Sequence, residues 1–196
     1  MTRFELFQNF FQKMNFSLTG KKISNLLFIL TIFFSSIPSE KLFAQNWELS
    51  KDANGVKVFT RTVPDSPLKE FKAITRIESS LSGIVSLFRD DKNMPAWWPD
   101  CRESKTLKEI SPTEWYVYFV VGAPWPVNAR DTINHIILSQ DPNSKIVNMK
   151  IKAVPDFSAP VPSQIRIPYL SGSWQFTPFE SGFIDVVYQV HANPGG

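Results

Sequence analysis

Cysteine is nearly absent from this chain: Cys101 stands alone, so no disulfide can form within it. No cysteine follows the apolar stretch near the N-terminus either, which excludes a bacterial-type lipid anchor there. The two histidines, His135 and His191, lie 56 residues apart with no HxH or HExxH spacing, so no metal centre is expected. A GxSxG elbow, a phosphate-cradling glycine loop and a dinucleotide fingerprint are all missing. Basic character is missing too, once it is located. The first 44 residues hold five basic and two acidic side chains, which accounts for the whole net charge of +3. From Gln45 onward 16 basic side chains meet 16 acidic ones. A neutral domain without a basic stripe has little with which to neutralise phosphates, so nucleic acid is excluded as a partner.

The charged N-terminus reads as an address. Lys21 and Lys22 precede the apolar run ISNLLFILTIFFSSI, residues 23–37, and then PSEKLFAQ. That is the order of a signal peptide, with cleavage expected after Ala44 and Met14 as an alternative start. Fifteen residues are fewer than the ~20 a bilayer-spanning helix needs, though a retained anchor is the competing reading. The expected division is therefore a signal peptide over 1–44 and one domain over 45–196, exported to a bacterial periplasm. Without disulfides, that domain must be held by its core.

Apolar periodicity gives the domain an α+β pattern. GVKVFTRTV and LKEFKAITRIES alternate at period two, with Pro64 and Pro67 marking the turn between them. SSLSGIVSLFRD places Leu81, Ile84, Val85 and Phe88 at helical spacing behind a serine cap. MPAWWPDCRESKTLKEI reads as a broken helix or turn. EWYVYFVV is apolar on both faces, as in a strand covered on both sides. DTINHIILS and KIVNMKIKAV follow, joined by the turn sequence QDPNS. QIRIPYLSGSWQFTPF and GFIDVVYQVHA complete the series, so a curved antiparallel sheet is predicted with one sizeable helix.

Aromatic residues are abundant, with 17 Phe and 6 Trp. Any one of them is best placed in a core, but together Trp98, Trp115, Tyr118, Trp174, Phe176 and Tyr188, with Met149, could wall an apolar cavity. Burying a lipid there is favoured by ~25 cal/mol per Å² of apolar surface and needs no charged catalyst. In PWPVNARD, Pro124 and Pro126 end a strand, Trp125 fills the corner, and Arg130 and Asp131 open the next strand. Being adjacent, those two charges point to opposite faces. Arg130 is expected to pair with an acid elsewhere, or else to touch the ligand, and Asp131 to bond backbone or a surface base.

GVKVFTR, KEFKA, WWPDCRESK, PWPVNARD and VVYQVHANPGG stand in an order that resembles the START lipid-transfer family over residues 47–196. The resemblance implies a helix-grip fold: a curved sheet around a hydrophobic tunnel, closed by a long C-terminal helix. That lid helix is expected to be missing, since the matching segment stops at HANPGG. It also implies binding of a lipid without catalysis or cofactor, transient membrane contact and a monomeric state. Sterol-binding members carry a second arginine where this chain has Ile136, beside His135, so a sterol is not supported and a fatty-acyl or phospholipid ligand is equally open. Two other readings stay open. One is a cyclase- or hydratase-like enzyme using Asp131, Asp185, His135 or His191, and the other is a non-functional fragment.

Overall fold

The computed structural model describes residues 46–180 and 182–196. The signal-peptide and cleavage-site readings fall on residues outside these. Ten strands form one sheet: β1 (Glu48–Ala53), β2 (Val56–Val63), β3 (Ser66–Glu78), β4 (Cys101–Ser111), β5 (Glu114–Val121), β6 (Arg130–Gln140), β7 (Val147–Ala153), β8 (Ile165–Arg166), β9 (Tyr169–Pro178) and β10 (Phe183–Asn193). Their spatial order is β1-β2-β3-β10-β9-β7-β6-β5-β4, antiparallel throughout, with the short β8 running parallel to β6. Between β3 and β4 lie α1 (Leu81–Arg89), a 3-10 turn (Asp91–Asn93) and α2 (Met94–Trp97).

Local chemistry sets the elements. Asn54 and Gly55 take positive φ angles of 55° and 77°, the backbone a tight β1–β2 hairpin requires. Asp141 Oδ1 accepts from the amides of Asn143 and Ser144 and the Ser144 hydroxyl, so QDPNS turns β6 into β7 as its composition predicts. These bonds hold the Asp141 carboxyl below its ordinary pKa. Ser80 caps α1 by accepting from Gly83 N at 3.1 Å.

Two strands depart from the sequence reading for one reason. Residues 101–111 form β4 rather than a turn, and β1 precedes GVKVFTRTV unannounced. Both are edge strands, and edges carry charge to discourage further pairing, which erases the hydrophobic alternation. QIRIPYLSGSWQFTPF also splits. Ile165 and Arg166 turn aside to pair with Arg130 and Asp131, and Pro168, lacking an N–H, separates them from β9.

A single buried cluster takes residues from seven neighbouring strands, from Val56 on β2 to Trp115 on β5, together with Ile84 and Phe88 of α1 and Trp97 of α2. Seven flat strands would span about 29 Å, whereas nine helical residues reach about 13 Å, so the sheet must curl around the helix. Phe88 is the hinge of this packing, with its ring centroid 5.4 Å from Trp97, 5.1 Å from Trp174 and 5.9 Å from Phe176. A second, smaller cluster lies on the opposite face. There the connection from β7 to β9, residues 154–168, straps across Tyr118, Val120, Ala129 and Ile133 with Val154 and Val161.

Candidate functional site

Period-two alternation divides β5 and β6 between the two sides of the sheet. Val117, Phe119 and Val121 of β5 and Thr132, Asn134 and Ile136 of β6 face the helices. With Phe88, Met94, Trp98, Met149, Leu170 and Tyr188 they wall a cavity of about 150 Å³. That is the size that accommodates a benzene ring, below the ~300–1,000 Å³ of a drug-sized pocket. No Lys, Arg, Asp, Glu or His side chain lines it.

Three of the expected lining residues, Trp98, Met149 and Tyr188, face this cavity. Trp115, Trp174 and Phe176 lie fully buried in the cluster behind it. Trp174 backs the wall directly: its ring stacks on Tyr188 at 3.9 Å and meets Trp98 edge-on at 6.4 Å. Burial pushes the Tyr188 phenol far above its ordinary pKa.

The other assignments are corrected by the geometry. Tyr118 faces away from the cavity. It is three residues from Trp115 on an unbulged stretch of β5, so the two must point to opposite sides. Its hydroxyl donates to Gln164 Oε1 of the strap at 2.7 Å, and burial, then the nearby Asp131 and Glu103 carboxylates, raise its pKa. Arg130 shares the cavity side of β6 but stands beyond the lining. It forms no ion pair among the described residues; Nη1 donates to Asn128 O at 2.7 Å. A position at the strand end, open to water, removes the need for the acidic partner that a buried guanidinium would have. Trp125 does not fill the corner. It is 92% exposed, on a loop where Pro124 and Pro126 do end β5 as expected.

Asp131 points oppositely to Arg130, as adjacency requires, and is fully buried under the strap rather than on a surface base. Its Oδ2 accepts from Arg166 Nε at 3.1 Å and Nη2 at 2.8 Å. Arg166 also donates to the carbonyls of Pro155, Ser158 and Ala159, so one guanidinium ties strap to sheet.

Groups considered for acid–base work do not converge on the cavity. His135 binds Glu114 at 2.8 Å and stacks on Tyr116 at 4.6 Å, on the strap side. Asp185 holds Arg76 in a two-pronged pair at 2.5 and 2.9 Å, and His191 contacts Ser66 Oγ at 3.0 Å. Among the described residues no three His, Cys, Asp or Glu side chains gather as a metal site.

Sequence reasoning passed over Thr132 and Asn134. The signal was available: once Arg130 is assigned to the cavity side, residues 132, 134 and 136 follow by alternation.

A long antiparallel sheet curled over one helix, with an apolar chamber between them, defines the START-like helix-grip class. The chain belongs to the START domain family, whose profile matches residues 40–151. It is 34% identical over 153 residues to an uncharacterized protein of Pseudomonas aeruginosa, covering 78% of this chain and 75% of the relative. It is also similar to the solved STAR-related lipid transfer protein fragment from Xanthomonas axonopodis. There the identity is 37% and the TM-score 0.71, over 76% of this chain and 83% of that one. The human StarD13 lipid transfer and protein localization domain shares the fold at 16% identity and a TM-score of 0.68, over 78% and 77% of the two chains.

Proposed function

We propose that this protein binds a lipid or similar apolar molecule in the cavity between α1 and the sheet, without catalysing its conversion. The observation that carries the reading is a mostly apolar chamber lined by no Lys, Arg, Asp, Glu or His side chain in a START family member. A cavity of about 150 Å³ takes one end of a lipid, about a six-carbon ring. Exchange with a membrane is part of the proposal. Trp125, 92% exposed between two prolines with the half-exposed Val127 beside it, has the amphipathic character that favours a membrane interface. Export to the periplasm with cleavage near Ala44 rests on the sequence, and mass spectrometry of the protein from a periplasmic fraction tests it.

The binding test fills the cavity. Val117→Phe and Ile136→Phe add bulk at two separate points on its wall. Each should abolish binding of a fluorescent fatty-acyl probe by delipidated protein while the near-UV circular dichroism stays that of the wild type. Filled variants that bind as the wild type does would place the ligand elsewhere and refute the proposal.

A further inference from the structure

A second cavity lies on the face of the sheet turned away from the helices. Alternation sends Lys150 and Lys152 of β7, Ser171 and Ser173 of β9 and Gln189 of β10 to that face, opposite Met149, Trp174 and Tyr188. In register, Lys152 sits beside Ser171, and Lys150 beside Ser173 and then Gln189. The serines are short where their neighbours are long, so a trough of about 390 Å³ crosses β9, from His135 at one end to Glu70 at the other. That is within the ~300–1,000 Å³ of small-molecule sites, and larger than the apolar chamber. The nearby acids are already engaged. Glu70 accepts from Arg61 Nε and from Gln189 Nε2, each at 2.6 Å, and Glu114 holds His135. The lysines are not: Lys150 and Lys152 form no ion pair among the described residues, and the Ser171 and Ser173 hydroxyls no hydrogen bond there.

Lys150 and Lys152 stand about 7 Å apart along β7, so their flexible stems bring two ammonium groups to one anion. The two serine hydroxyls add further donors. A phosphate ester, with charge spread over three strong acceptor oxygens, uses such a donor set more fully than a single carboxylate does. The trough is longer than a phosphate and continues past Ser173 to Gln189. Gln189 keeps Oε1 as an acceptor because Nε2 is bonded to Glu70, and the Arg61 pairing offsets the Glu70 charge. We propose that this trough binds a phosphorylated polyol, its phosphate on Lys150 and Lys152 and a hydroxyl on Gln189. A free sugar or glycerol phosphate carries that chemistry, and so does a phosphoglycerol lipid headgroup. Because the site is open to water, its affinity lies near ~1 mM.

Glycerol 3-phosphate titrated into nitrogen-15-labelled protein at pH 8, where the ester is dianionic, gives the test by NMR. Saturable amide shifts should map to residues 148–152 and 171–173. Lys150→Gln with Lys152→Gln should weaken binding by at least about tenfold and leave the urea midpoint unchanged, since neither lysine bonds the fold. Gln189→Leu should weaken it several-fold, and inorganic phosphate should bind several-fold less tightly than the ester. Shifts that do not saturate, that spread to other exposed lysines such as Lys57 and Lys69, or that persist in the double variant overturn the site. Inorganic phosphate binding as tightly as the ester overturns the polyol. Co-sedimentation with phosphatidylglycerol vesicles assigns the source. A fall in the double variant makes it the lipid headgroup, and no difference from the wild type makes it a free phosphate ester. The chamber lies on the other face of the sheet, so its lipid binding stands or falls separately.

Discussion

Replacing Arg166 with methionine should destabilise this protein far more than neutralising its partner does. The side chains of Arg166 and Asp131 are 8% and 0% exposed, so neither charge has water to fall back on. Among the described residues the Asp131 carboxylate has one ion-pair partner: Oδ2 bonds the guanidinium, and Oδ1 has no hydrogen-bond partner there. Arg166 has four bonding partners, since the carbonyls of Pro155, Ser158 and Ala159 remain when the carboxylate goes. Arg166→Met therefore strands a buried carboxylate and releases the strap, a loss of about 3–5 kcal/mol. Asp131→Asn leaves the guanidinium bonded to three backbone oxygens and should cost about 1–3 kcal/mol. The double variant should cost clearly less than the sum, because methionine removes the charge that the asparagine no longer balances. Urea unfolding followed by tryptophan fluorescence measures all three. With a slope of ~2 kcal/mol per molar urea, Arg166→Met should lower the midpoint by about 2 M. Equal effects of the two single variants, or strictly additive costs, would refute the asymmetry.

Trp174 and Trp125 are a matched pair of opposite outcomes. Trp174→Ala opens a hole beneath Tyr188 and Phe88 and should cost about 3–5 kcal/mol, whereas Trp125→Ala should stay within about 0.5 kcal/mol yet reduce co-sedimentation with lipid vesicles. A destabilising Trp125→Ala would restore the corner-filling role. Cys101 should react slowly: burial raises its thiol to about 11 from 9.0, so alkylation at pH 8 should be about a hundredfold slower than in the urea-unfolded chain. Because the folded state holds this proton more tightly, as it does those of Tyr188 and Tyr118, stability is full below the unfolded pKa and falls as pH rises from about 9 through 11. A urea midpoint unchanged across that window would contradict the burial of these groups.

The sheet was legible where burial is one-sided and obscure where it is not. β7 shows Val147, Met149 and Ile151 against Asn148, Lys150 and Lys152, and it lies as that alternation dictates. β5 is apolar on both faces because a cavity lies on one and the strap on the other, so hydrophobicity could not say which aromatic faces inward. Parity could: Trp115 and Tyr118 differ by three. β1 and β4 were hidden by the charges that protect an edge. The Asp131–Arg166 pair was out of reach for a different reason. It joins residues 35 apart through a parallel two-residue strand, and nothing local in IRIPY announces that the chain leaves one strand to touch another.

That pair explains how β6 can carry a polar residue inside an apolar chamber. A strand with Thr132 and Asn134 on its cavity side gains little hydrophobic energy from that side, and a one-residue slip would bring Asp131, Ile133 and His135 inward instead. Ile133 alone would welcome the change. What forbids it is the buried charge: slipped inward, Asp131 would lose Arg166 and face a cavity with no cation, at a cost of about 3–5 kcal/mol. An ion pair of this kind contributes little net stability compared with a hydrophobic replacement, but it makes the wrong register expensive. The consequence separates two properties that are usually lost together. A well-packed apolar substitute for both Asp131 and Arg166 should retain much of the folding stability, while ligand binding in the cavity weakens as Thr132, Asn134 and Ile136 of β6 lose their fixed register. Stability and binding that fell in proportion would show that the pair acts only as a fastening for the strap.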